Sequence, residues 1–117
     1  MMPQATDEAV RYYTSAELQL REDVPGAFVW AVCLERTMMT YFEVQANSRF
    51  ERHQHESEQI TLVLEGELFF ETAGQVIAVK AGEVIALPSN VPHAVYTREH
   101  PVRAVDAWSP VRAYYRR

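Results

Sequence analysis

From residue 27 onward, apolar and polar residues alternate in short runs, with the period of strands rather than helices. The runs fall at 27–34, 37–45, 50–55, 59–64, 67–72, 75–80, 83–87, 93–98 and 102–108. Turn chemistry separates them. In Asp23-Val24-Pro25-Gly26 the proline sets one dihedral and the glycine supplies a positive φ, and Glu65-Gly66, Ala73-Gly74 and Ala81-Gly82 repeat the signal. Nine short strands at this spacing predict an all-β sandwich or barrel, read here as a single β-barrel of jelly-roll type spanning residues 27–112. Residues 1–26 form an N-terminal arm in this reading, with a short capped turn at Ser15-Ala16-Glu17-Leu18, and residues 113–117 form a C-terminal tail. Between Glu8 and Tyr13 the pattern fits either a helical turn or a strand added to a neighbour.

The run Ile60-Thr61-Leu62-Val63-Leu64 is apolar on both faces. One face fills the barrel and the other needs a cover, either the N-terminal arm or a second copy of the chain. Large uncovered apolar faces are rare on monomers, so a homodimer is expected.

Composition narrows the class without naming a function. At 117 residues there is room for one core, and 48% hydrophobic with 23% charged residues is an ordinary globular balance. The net charge of −5 argues against a nucleic-acid surface, which needs a concentrated basic patch. A single cysteine, Cys33, excludes an internal disulfide and reads as a small buried hydrophobe. No apolar stretch approaches the roughly 20 residues that span a bilayer. Residues 1–10 lack the basic-then-apolar layout of a signal peptide, so the expected location is cytoplasmic, without membrane contact.

The candidate chemistry is concentrated in histidine. Of four in the chain, three lie in two stretches. His53 and His55 are two apart and share a face on extended backbone, and Gln59 follows after a polar interval. The second stretch runs Gly82-Glu83-Val84-Ile85-Ala86-Leu87-Pro88-Ser89-Asn90-Val91-Pro92-His93: a glycine turn, a short strand, then a tight turn that returns His93 toward the first pair. His100, between Glu99 and Pro101, reads as a loop residue. A lone histidine is more often a core or surface residue than a ligand. Three at these spacings, with Gln59 beside them, point to a divalent metal held by His53, His55, Gln59 and His93. All four donors are neutral, so an ion there would keep its double charge in a low-dielectric interior. That favours a Lewis-acid role and an anionic substrate over electron transfer. Imidazole with an oxygen donor suits Zn, Ni, Fe, Mn or Co alike.

These two blocks resemble the paired motifs of the cupin superfamily. The first motif's slots fall on Asn47, His53, His55, Gln59 and Gly66, the second's on Gly82, Pro88, Asn90 and His93. Asn47 and Asn90 replace glycines, a tolerable change because Asn enters the left-handed region more easily than most residues. Gln59 stands where the family usually has a Glu ligand, and Glu58, one position earlier, is the alternative donor. The resemblance covers roughly residues 44–110 and implies the family's barrel, the double-stranded β-helix; its small members are usually dimers.

The last strand carries a second constellation, Asp106-Ala107-Trp108-Ser109-Pro110-Val111-Arg112. Asp106 and Trp108 share a strand face. Facing inward, a buried Asp106 would tend toward a raised pKa and suit acid–base work, Trp108 could stack on a sugar ring, and Arg112 could clamp a carboxylate. Spacing alone fits a structural reading equally well: Asp106 paired with an arginine, Trp108 in the core, Arg112 in solvent. With the His-x-His and Glu-Gln blocks, however, this closing segment resembles the pectin-degradation cupins that linearise unsaturated uronates. That resemblance implies metal ligands at His53, His55, Gln59 and His93 and catalytic roles for Asp106, Trp108 and Arg112. Trp108 replaces a Phe of those relatives, and Ser57 stands where they often carry a further His. The implied reaction opens a 4,5-unsaturated uronate ring to its 4-deoxy-5-keto form, with a small sugar acid as partner. Two other readings stay open: an Fe(II)-dependent dioxygenase, and a small-molecule binding module without turnover.

Overall fold

The computed structural model describes residues 9–116, so residues 1–8 of the expected arm lie outside the described residues. Ten strands run through it: β1 (Arg21–Glu22), β2 (Ala27–Cys33), β3 (Met38–Val44), β4 (Arg49–His53), β5 (Glu58–Glu65), β6 (Glu67–Thr72), β7 (Gln75–Lys80), β8 (Val84–Leu87), β9 (His93–Tyr96) and β10 (Val102–Ser109). They form two antiparallel sheets, in the order β1-β2-β3-β10-β5-β8 and β4-β9-β6-β7. This is the all-β jelly-roll barrel that the alternation predicts. Each predicted run has its strand. β1, two residues pairing with β2, is too short to leave a periodic signal. β4 ends at His53 rather than continuing to residue 55, because the chain leaves that sheet there to cross to β5 in the other.

Alternation along the strands decides what faces the interior. On β10, Val102, Ala104, Asp106 and Trp108 are buried while the residues between them are not. On β5 the inward positions are Gln59, Thr61 and Val63. Val29, Val63, Phe70 and Val102, each at most 1% exposed, are among the best-buried residues of the core. Burying a side chain of this kind is worth about 1.5–3 kcal/mol relative to leaving it in water.

The outward face of the larger sheet is apolar across five strands. One cross-strand row reads Val32, Met39, Ala107, Ile60, Ala86, and the next reads Trp30, Tyr41, Val105, Leu62, Val84. Met39, Ile60 and Val84 are 49%, 52% and 57% exposed, so nothing among the described residues covers this face.

Two loops tie the barrel to the histidines. Asn47 and Asn90 adopt left-handed backbone, φ 59° and 62°, as their glycine-like slots demand. The Asn90 N–H then donates to the His55 carbonyl at 2.8 Å, joining the Pro88–Pro92 turn to the first histidine block. At the end of the chain a 3₁₀ turn, Ala113–Tyr115, folds back over the barrel. Tyr115 is buried, its ring against Phe42 and Trp108, and its hydroxyl donates to Asp23. No helix among the described residues is long and apolar enough to cross a membrane.

Candidate metal centre

Two strand ends and the crossing between the sheets deliver the histidines to one point. His53 closes β4, His93 opens β9 directly across from it, and His55 follows two residues later in the crossing to β5. Their ring centroids lie 4.5–5.5 Å apart, and one ligand nitrogen from each falls within 4.8 Å of the others.

The backbone sets which nitrogen that is. His53 Nδ1 lies 2.7 Å from the Glu51 carbonyl, and His55 and His93 Nδ1 lie 2.8 Å from those of Ser57 and Val91. A carbonyl only accepts, so each Nδ1 carries the hydrogen and each Nε2 is left with a bare lone pair. All three bonds follow one local rule, ring to a carbonyl two residues away. Backbone carbonyls holding the far nitrogen are the usual second layer of metal-binding histidines. His55 and His93 are mainly lowered in pKa by burial, His93 to about 4, so both rings are neutral at pH 7.

Gln59 and Glu58 are separated by the pleat of β5. Gln59 is buried and inward, Glu58 exposed and outward, so the amide and not the carboxylate reaches the interior. His55 Nε2, His93 Nε2 and Gln59 Oε1 are all buried and lack any hydrogen-bond partner. Buried polar atoms are rarely left unpaired, and three acceptors orphaned around one point fit a cation. The residues present therefore suit a divalent metal: three imidazoles able to coordinate, with the Gln59 oxygen beside them.

Of the second constellation, Asp106 and Trp108 face the same space. A cavity of about 50 Å³ is lined by His53, Gln59, His93, Asp106, Trp108 and Tyr115 among others, with the Trp108 ring 5.2 Å from that of His55. Asp106 is buried, which pushes its carboxyl up to about 6 against the opposing pull of hydrogen bonds from Thr61, Thr40 and the Gln59 amide. Trp108 Nε1 donates to Thr40 Oγ1 at 2.9 Å. Arg112 does not line this cavity. It lies on an adjoining open groove of about 560 Å³ that shares Phe50, His53 and Tyr115 with the cavity and also carries Arg49 and Arg52. The Arg112 Nε is buried and unpartnered, and its guanidinium lies 5.5 Å from the Tyr114 ring centroid.

Three interior residues carry no motif in the sequence. Thr40 and Thr61 flank Asp106 across β3 and β5, and Tyr115 roofs the cavity. Period two on β5 puts Thr61 inward with Gln59, but only the long-range register reveals that it meets Asp106.

The chain is a small jelly-roll barrel whose three converging histidines could hold a metal ion. Residues 40–108 match the family model described as the cupin domain, and the chain belongs to that family. No curated protein matches it. Among solved structures it resembles KdgF from Halomonas sp., at 22% identity over 89% of this chain and 98% of that one, with a TM-score of 0.80. It also resembles an RmlC-like cupin from Shewanella frigidimarina, at 18% identity over 92% and 96%, TM-score 0.82. A third likeness is to the polyketide cyclase RemF from Streptomyces resistomycificus, at 23% identity over 88% and 81%, TM-score 0.76. Identities this low speak for the shared barrel alone.

Proposed function

We propose that this chain is a metal-dependent cupin enzyme that opens the ring of 4,5-unsaturated uronate sugars to open-chain keto forms. The observation that carries the reading is the meeting, on one cavity, of the orphaned acceptors of His93 and Gln59 with a buried carboxylic acid, Asp106, while the orphaned His55 Nε2 belongs to a ring 5.0 Å from that of His93. His53, His55, Gln59 and His93 would hold the metal. When bound, it would supply Lewis-acid stabilisation of negative charge developing on substrate oxygen.

The remaining work falls to the chain's own residues. Asp106, with a pKa of about 6, is poised to carry a proton between the enol oxygen and the adjacent carbon near neutral pH. Trp108 orients the sugar ring. Arg112, with an unpaired buried Nε, takes the carboxylate from the groove side. The cavity holds a few water molecules but not a sugar ring, so the substrate would sit across cavity and groove, past His53 and Tyr115. A homodimer, formed through the apolar outer face of the larger sheet, completes the proposal.

The test is turnover of freshly made unsaturated uronate monomer by protein stripped of metal and then reloaded. Loss of the conjugated double-bond absorbance above the spontaneous rate, restored by metal and independent of oxygen, is the expected result. No acceleration by fully loaded protein would refute it. Strict dependence on Fe(II) and oxygen would indicate a dioxygenase, and ligand retention without turnover a binding module.

A further inference from the structure

Thr40, Asp106 and Thr61 form one straight cross-strand row over β3, β10 and β5, each at most 6% exposed. A row of three polar side chains inside a barrel needs internal partners, and here they are fully supplied. Trp108 Nε1 can only donate, so Thr40 Oγ1 accepts from it at 2.9 Å and spends its own hydrogen on Asp106 Oδ2, 2.8 Å away. On the other side, Thr61 Oγ1 gives its single hydrogen to Asp106 Oδ1. It is then only an acceptor toward Gln59, 3.0 Å away, and the Gln59 atom facing it must be the Nε2 amide. The other end of that amide, Oε1, is thereby turned away from Thr61 and left unpartnered beside the histidines.

We infer that Thr61 is a positioning residue for the metal centre: anchored by Asp106, it fixes the Gln59 amide so that the oxygen and not the NH₂ is presented to the ion. The relay has one sense only, because its hydrogens all run toward the carboxylate. An amide in the opposite orientation would place two hydrogens against the cation and a lone pair against a hydroxyl with no hydrogen left to give. Thr40 serves the same carboxylate from the far side but touches no ligand. The inference rests on the reading of Gln59 as a metal ligand and not on the uronate reaction.

The experiment titrates metal-free protein with Co(II) alone, by calorimetry and by the visible ligand-field spectrum, for wild type, Gln59→Ala, Thr61→Val, Thr61→Ser and Thr40→Val. Loss of an outer-layer partner typically lowers metal affinity roughly 10–100-fold. Thr61→Val is expected to fall in that range with an altered spectrum, and Thr61→Ser to restore both. Thr40→Val removes an equally buried hydroxyl from the same carboxylate and is expected to keep wild-type affinity. Equal losses in Thr61→Val and Thr40→Val would overturn the inference, because the effect would then be general disruption. Wild-type affinity in Thr61→Val alongside weakened Gln59→Ala would overturn the relay and leave the ligand in place. Unchanged affinity in Gln59→Ala would remove the ligand, and with it the relay.

Discussion

His53 and His93 face each other directly across β4 and β9, with ring centroids 4.5 Å apart, although 40 residues of chain separate them. Their Nδ1 atoms both lie against backbone carbonyls, so the Nε2 atoms are the ones free to coordinate, and the buried His93 Nε2 lacks a partner. A buried acceptor without a partner is unfavourable alone and favourable around a cation. Metal should therefore stabilise the fold itself: at a free concentration 100 times Kd the gain is about 2.7 kcal/mol. Thermal unfolding of stripped and reloaded protein measures it. His93→Ala should abolish the metal-dependent rise in Tm, and a rise of unchanged size in that variant would contradict the site.

The metal-free protein should lose stability modestly as pH falls from 6.5 to 4. His93 is depressed from 6.5 to about 4, so its contribution is present above 6.5 and lost as pH falls through 4. Asp106 is raised from 3.8 to about 6, so its contribution is present below 3.8 and lost as pH rises through 6. The two shifts are similar in size and opposed, and they nearly cancel. His55, also lowered by burial, leaves the balance on the side of acid lability. Asp106→Asn removes the opposing contribution and should steepen the acid loss. Urea midpoints of stripped protein between pH 4 and 7 decide the matter, and a wild type that gains stability on acidification would refute it.

The site was legible in the sequence to the extent that it is local. His53, His55 and Gln59 are specified by spacing and pleat, and Asn90 is placed by its glycine slot in the cupin motif, where it does take left-handed backbone. The pleat of β5 also separates Gln59 from Glu58, once its register is known. What could not be read depends on pairing over long separations. Thr61 lies in a run that looks uniformly apolar, and nothing near it in sequence announces Asp106, 45 residues on. Tyr115 sits in what reads as a C-terminal tail, yet it is buried, with its ring against Phe42 and Trp108.

The exposed face of the larger sheet gives a prediction independent of the metal. Ile60 is 52% exposed within its row, between Ala107 and Ala86. In the proposed dimer a charge there would be buried without a partner, whereas in a monomer it would be solvated. Ile60→Asp should convert a dimeric wild type to a folded monomer in analytical ultracentrifugation. A monomeric wild type would refute the dimer.

The tail should behave as part of the barrel and not as an appendage. Tyr115 is 6% exposed, packs edge-on against Phe42 at 5.6 Å, and hydrogen-bonds Asp23 at 3.0 Å. Two contributions are separable. Tyr115→Phe keeps the ring and loses one hydrogen bond, for about 1 kcal/mol. Tyr115→Ala empties an aromatic site between Phe42 and Trp108 and should lose about 3–5 kcal/mol, as large aromatic-to-alanine changes in cores do. Deleting residues 113–117 should match or exceed that loss. Urea denaturation resolves all three, and a deletion that leaves the midpoint unmoved would show that the barrel closes without its tail. The same Tyr115→Phe protein should bind metal with wild-type affinity, because its hydroxyl is directed at Asp23 and away from the histidines.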